Sequence, residues 1–178
     1  MKIQKITIFI FLNLFLFSIA SGQTKKDKDL IIASIKNHYT QINNYKNYRI
    51  VTINGSEDFL GYATDNGGKL TGYYKGDSLK KIVEWVGLSN KVIQHEYYLN
   101  KDSLIFVYST ESLYKYSDTA KGFEIPSLEK GSIGRFYFAK DKLVDRVLNY
   151  KQSSGATEKE SLELLAASKK YLKLLTQK

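Results

Sequence analysis

The chain has 178 residues, 27 Lys and Arg against 18 Asp and Glu for a formal net charge of +9, and no cysteine. That length holds one domain around a single core, and the missing cysteines exclude a disulfide scaffold and a lipid-carrying cysteine after a leader. The basic surplus favours anionic partners in principle, yet the lysines are scattered through turns and strands, a pattern that solubility alone accounts for.

In chain order, Lys2 and Lys5 precede an apolar run from Ile6 to Phe17, followed by the small residues Ser18, Ala20, Ser21 and Gly22. A basic head, a short apolar core and a small-residue exit read as an export signal over residues 1–22, with cleavage after Ala20 or Gly22. The core falls short of the ~20 apolar residues that a membrane span needs. The expected location is therefore periplasmic or secreted, with residues 23–178 as one domain and no later membrane span.

Asp29 to Asn43 reads as a helix, because Ile31, Ile35, His38, Tyr39 and Ile42 gather on one face, with Asp27 and Asp29 near its N-terminus. From Tyr48 to Tyr150 the period shortens to that of strands, punctuated by Asn54-Gly55, Asn66-Gly67-Gly68, Gly76-Asp77, Ser89-Asn90, Asn100-Lys101-Asp102 and Lys140-Asp141. The expected strands are 48–53, 58–64, 69–75, 79–86, 91–99, 103–109, 133–139 and 142–150. Turns this short make sequential strands antiparallel neighbours. Three hairpins look like copies of one unit: Tyr73-Tyr74 before Gly76-Asp77-Ser78-Leu79, Tyr97-Tyr98 before Lys101-Asp102-Ser103-Leu104, and Phe136-Tyr137 before Lys140-Asp141-Lys142-Leu143. In each, the Asp is read as capping the turn backbone through its carboxylate.

Glu111 to Gly131 interrupts the meander, carrying the only proline, Pro126. A long excursion inside tight hairpins is usually functional, so Tyr114, Tyr116 and Phe123 are the candidate partner-binding residues. After Ser153-Ser154-Gly155, Thr157 and Glu160 form a capping-box pattern. Leu162, Leu164, Leu165, Tyr171, Leu172 and Leu175 then make the apolar face of a C-terminal helix. The fold class is α+β, mainly β: N-terminal helix, antiparallel meander of seven to eight strands, C-terminal helix packed on the sheet. Strands apolar on both sides need cover on both faces. Either both helices lie over one face while the sheet curls, or the sheet wraps a helix.

Catalytic candidates are few. Gly76-Asp77-Ser78-Leu79 spells the signature of the Gly-Asp-Ser-Leu hydrolases, in which a helix follows the serine and an Asp-x-x-His supplies the base. Here Leu79 opens a strand, no Asp-x-x-His occurs, and the turn recurs with the serine lost. His38 and His95 read as half-buried core residues and not as metal ligands. Glu57-Asp58 and the group Glu158, Glu160 and Glu163 read as turn and helix-start charges, and Gly67-Gly68 precedes no helix that would bind phosphate. Neither cofactor nor metal is expected. The 14 tyrosines read as strand packing, and no nucleic-acid partner is expected.

Gly67-Gly68-Lys69-Leu70-Thr71-Gly72-Tyr73-Tyr74, Lys80-Lys81-Ile82-Val83-Glu84, Glu96-Tyr97-Tyr98 and Leu104-Ile105-Phe106-Val107-Tyr108 together resemble small exported proteins of Bacteroidetes-like bacteria. The hairpins also resemble the tyrosine-glycine repeats of MORN-like proteins. The first resemblance implies a helix followed by an antiparallel meander, with no settled activity, and transfers no site residue. The functional expectation is an exported, non-enzymatic binding or envelope-associated protein with a protein, glycan or lipid partner. The alternatives are a carrier of an apolar or amphiphilic ligand in a curled sheet and, more remotely, an esterase-like hydrolase using Ser78.

Overall fold

The structure, a computed structural model, describes residues 20–150 and 154–177. The signal segment lies outside these residues up to position 19. Helix α1 (Ala20–Asn44) leads into seven strands interrupted by one short helix: β1 (Arg49–Asn54), α2 (Glu57–Leu60), β2 (Gly68–Lys75), β3 (Ser78–Gly87), β4 (Lys91–Asn100), β5 (Ser103–Ser117), β6 (Gly122–Ala139) and β7 (Lys142–Leu148). Helix α3 (Ser154–Thr176) follows. The strands form one antiparallel sheet in sequence order, β1 to β7. The expected helix, meander and helix are all present.

The two helices cover opposite faces of the sheet, so neither expected arrangement holds. The reason lies in β4, where Tyr97 and Tyr98 are adjacent, point to opposite sides and are both 0% exposed. On the α1 face, Tyr98, Phe106 and Tyr137 stand directly opposite one another on β4, β5 and β6 and pack under Ile35 and Ile42. On the α3 face, Tyr97, Val107 and Phe136 form the matching row, closed by Leu164, Leu165, Tyr171 and Leu175. Each such side chain contributes about 1.5–3 kcal/mol by leaving water. Ile31, Tyr39 and Leu162, expected on the buried helix faces, are exposed at their margins.

The repeat is real, but its frame differs from the aromatic-pair reading. The pairing register slips between Tyr73 and Tyr74, between Tyr98 and Leu99, and between Tyr137 and Phe138. Each slip lies three residues before the turn aspartate and leaves one extra residue on the return strand: Lys80, Ile105 and Val144. Turn and bulge together make Tyr73, Tyr98 and Tyr137 equivalent, as they do Gly72, Tyr97 and Phe136. The first unit has therefore lost an aromatic where the other two keep one.

The turns also explain their aspartates. Lys101 and Asp102, like Lys140 and Asp141, all have positive φ, the two-residue hairpin conformation that twists with the strands. At these two turns Asp takes the left-handed region, whereas in the first turn Gly76 does so with a φ of 59° and Asp77 does not; the Asp141 carboxylate meets Lys169 of α3 at 2.6 Å.

At Gly72 the missing aromatic makes room for the end of α3. An added Cβ would lie 3.1 Å from both Leu175 Cδ1 and Leu79 Cδ1 and 3.2 Å from the Tyr74 ring. The Tyr74 hydroxyl donates to the Leu175 carbonyl at 2.9 Å, satisfying one of the carbonyls that a helix end leaves open. Gly72→Val is expected to cost about 1–3 kcal/mol through overpacking, measured by urea unfolding. Leu175→Ala should cost less in the Gly72→Val chain than in the wild type, because there it also relieves the crowding.

Three further expectations are corrected. Residues 58–64 are not a strand: one turn of helix, α2, ends at Gly61, whose φ of 93° no β-carbon would favour. Buried Phe59 anchors that turn under α3. Helix α1 is already formed at Ala20, the first described residue and nine before the expected start, because polar but helix-compatible residues precede the apolar stripe; Lys28 of this extension pairs with Asp145 of β7 at 2.7 Å. Helix α3 begins at Ser154, which places Thr157 inside the helix and not at its cap.

Candidate functional site

The stretch 111–131 is not a loop. Strands β5 and β6 continue through it as a two-stranded arm that outruns its neighbours. Strand β4 stops pairing with β5 at Lys91 opposite Leu113, and the Tyr114 amide makes a last bond to the Asn90 carbonyl at 3.0 Å. On the other side β7 stops at Leu148 opposite Gly134, and the Asn149 amide bonds the Ile133 carbonyl at 3.1 Å. Beyond these clamps the backbone edges of the arm face solvent.

Local sequence explains the arm. Leu113 to Tyr116 and Phe123 to Ile125 alternate with polar residues at strand period. Pro126, which has no N–H for a ladder, falls where the register slips between Tyr114 opposite Leu128 and Lys115 opposite Glu124. At the root, Gly131 lies so close to β5 that an added Cβ would sit 2.3 Å from the Glu111 carbonyl oxygen. Only glycine fits there without moving the backbone. At the tip, Lys121 has a φ of 51° and the Ala120 amide bonds Ser117 Oγ at 3.2 Å.

The three candidate residues divide. Tyr114 is buried at the root and closes the joint with the sheet. Tyr116 and Phe123 are 54% and 45% exposed and stand directly opposite each other, rings edge to face with centroids 5.5 Å apart. Leu113, Ile125 and Leu128 are also exposed, so much of the exposed large apolar surface among the described residues concentrates on this arm. An apolar, aromatic hairpin with open edges is suited to contact.

The other candidates fall into place around it. Leu79 lies in β3, and Ser78 opens that strand at the turn. No hydrogen bond joins Ser78 to His38 or His95 among the described residues; Ser78 and His38 line one groove beside the end of α1. Glu57 and Asp58 are exposed on α2, and Glu158 and Glu163 are exposed on α3. No group of three metal-ligating side chains occurs among the described residues.

One charged cluster was not anticipated. Glu84 of β3 is 5% exposed on the α3 face. It accepts from the Tyr171 hydroxyl at 2.6 Å, the Tyr97 hydroxyl at 2.8 Å and His95 Nδ1 at 3.0 Å. A carboxylate can only accept, so Nδ1 carries the proton on His95. Burial pushes the Glu84 carboxyl up, but the His95 bond and charge and the tyrosine bonds outweigh it and hold the group below its ordinary 4.5. Burial and the Glu84 charge push the Tyr97 and Tyr171 hydroxyls well above the usual phenol value, so both remain donors. With three donors converging on it, Glu84 is a buried anion that ties β3 to β4 and α3. Its sequence signal was position: Ile82 and Val86 flank it at i±2, which puts it on the buried face.

Comparison with protein-family models, with curated proteins and with solved structures finds no match for this chain.

Proposed function

We propose that this protein is an exported, non-enzymatic binding module that engages a protein partner through the β5–β6 arm. The observation that carries the reading is the exposed Tyr116–Phe123 pair on a ribbon with unpaired edges. Aromatic anchors dominate protein interfaces, and an open edge can accept a partner's strand. Export rests on the basic, apolar and small-residue sequence of positions 1–22. The non-enzymatic reading is supported by Ser78 making no hydrogen bond to His38 or His95 among the described residues and by the hydrogen bonds that saturate Glu84. The carrier alternative needs a hollow under the sheet, whereas Tyr97, Val107, Phe136 and Phe138 fill the α3 face at 0% exposure.

The test is affinity capture from an envelope extract with wild type and with Tyr116→Ser/Phe123→Ser. Both substitutions sit on exposed strand positions, so thermal unfolding should be nearly unchanged. Loss of two anchors should lower recovery of the specific partner on the order of 10- to 100-fold. Undiminished recovery of every partner, from this variant or from a chain lacking 114–128, would remove the arm from the mechanism.

A further inference from the structure

The α1 face carries a second site, at the end of the sheet opposite the arm. After α1 ends, Tyr45 and Tyr48 cross over β1 to β3 near the 76–77 and 101–102 turns. With Ile42 they form a ridge between two grooves of about 410 and 230 Å³. Lys75 and Lys80 line the larger groove, Lys46 and Lys81 the smaller. No Asp or Glu lines either one among the described residues, and the polar remainder is the amides of Gln41, Asn43 and Asn100 with His38 and Ser78 in the larger groove.

Two of the lysines are held in place. Lys75 Nζ lies 4.6 Å above the Tyr45 ring and Lys81 Nζ 5.0 Å above the Tyr73 ring. Lys81 also reaches Asn43 Oδ1 at 3.4 Å and Glu96 at 3.6 Å. Lys46, Lys75 and Lys80 make no ion pair among the described residues. Lys80 is the informative one: it is the extra bulge residue of the first hairpin, and the other two hairpins place Ile105 and Val144 there. One copy of a structural repeat has thus exchanged an apolar residue for a half-buried cation where the groove lies.

A helix C-terminus opposes a bound anion, but only by about 0.3–1 kcal/mol. Here the Gln41 and Ile42 carbonyls are already engaged, by the Tyr45 amide at 3.3 Å and the Tyr48 hydroxyl at 2.8 Å. Two lysines in each groove outweigh that residue of dipole. Tyr45, Tyr48 and Tyr73 meet edge to face at 4.8 and 5.9 Å, and lysines occupy two of the ring faces. Nucleobases bound without sequence preference want free ring faces to stack on. A hydroxyl-rich anion instead matches amines flanked by amides.

We propose that these paired grooves bind an acidic oligosaccharide, its anionic groups on Lys46, Lys75, Lys80 and Lys81 and its hydroxyls on the neighbouring amides. The site is independent of the arm.

The test is calorimetric titration of the full mature chain with a hexauronate at low salt, beside a neutral hexaglucan and a dodecathymidylate. The hexauronate should bind, weaken as salt screens the lysines, and lose about tenfold or more in affinity with Lys75→Gln/Lys80→Gln. Lys170→Gln/Lys173→Gln on exposed α3 positions removes the same charge elsewhere and should change affinity by less than about twofold. Tyr116→Ser/Phe123→Ser should bind the sugar like wild type, separating this site from the arm. An equal loss from the α3 pair, no loss from the groove pair, or binding of the glucan or the thymidylate as tight as the uronate would each overturn the proposal.

Discussion

Glu84→Ala is expected to lower the free energy of unfolding by about 3–5 kcal/mol, enough to unfold a large fraction of a marginally stable domain. The loss comes from what the substitution leaves behind. Tyr97, at 0% exposure, and Tyr171, at 3%, would keep hydroxyls aimed at an empty space under α3. Each unsatisfied buried donor costs about 1–3 kcal/mol. Glu84→Gln keeps an acceptor oxygen but turns an amide donor toward the same hydroxyls, and should cost less than alanine, about 1.5–3 kcal/mol. Chemical unfolding at neutral pH checks both.

The same carboxyl sets an acid limb. In the fold it is held below the 4.5 that it regains in the unfolded chain. The unfolded state therefore binds the proton more readily, and the stability Glu84 contributes is complete above that value. It is lost as pH falls through the lower, folded value. The stabilities of the wild type and Glu84→Gln should converge as the pH drops below 4.5. A difference that widened on acidification would mean that the carboxyl is neutral in the fold.

How much of this was legible follows from which interactions are local. The hairpin turns at 76–77, 101–102 and 140–141 are set by short-range backbone preferences, and their sequence marks them. The strands on either side follow, and so does the meander. Residues 58–64 misled because Phe59, Leu60 and Tyr62 are apolar at short spacing. The deciding feature was Gly61, whose positive φ ends a helical turn. At 111–131 the strand period was present in Leu113 to Tyr116, but Pro126 and Gly131 read as breakers when they are the bulge and the close approach that shape a continuous arm.

The helix placement needed a comparison across strands. Two adjacent fully buried tyrosines in β4 demand a cover on each side, and the sequence does show that demand. It does not show which helix answers it. Glu84 was visible by its i±2 neighbours, whereas its partners Tyr97 and Tyr171 come from another strand and a distant helix. The lysine grooves are least legible of all, since Lys46, Lys75, Lys80 and Lys81 meet only after the sheet has formed. Lys80 could have been found by aligning the three hairpins on their turns instead of on their aromatic pairs.

Tyr171→Ala should cost about 3–5 kcal/mol, and comparison with Tyr171→Phe separates its two contributions. The ring stands edge to face with Phe59 and Tyr97, centroids 5.9 and 5.8 Å away, so it joins α3 to both α2 and β4. Phenylalanine keeps those contacts and loses only the 2.6 Å bond to Glu84, a loss of about 1.5–3 kcal/mol because the acceptor is charged. Alanine removes the ring as well and opens a cavity between helix and sheet. In a Glu84→Gln background the phenylalanine substitution should cost distinctly less than in wild type, since the charged acceptor is already gone. Equal costs in the two backgrounds would show that the Tyr171 hydroxyl contributes by packing and not through the Glu84 charge. Unfolding curves of the four chains decide between the two.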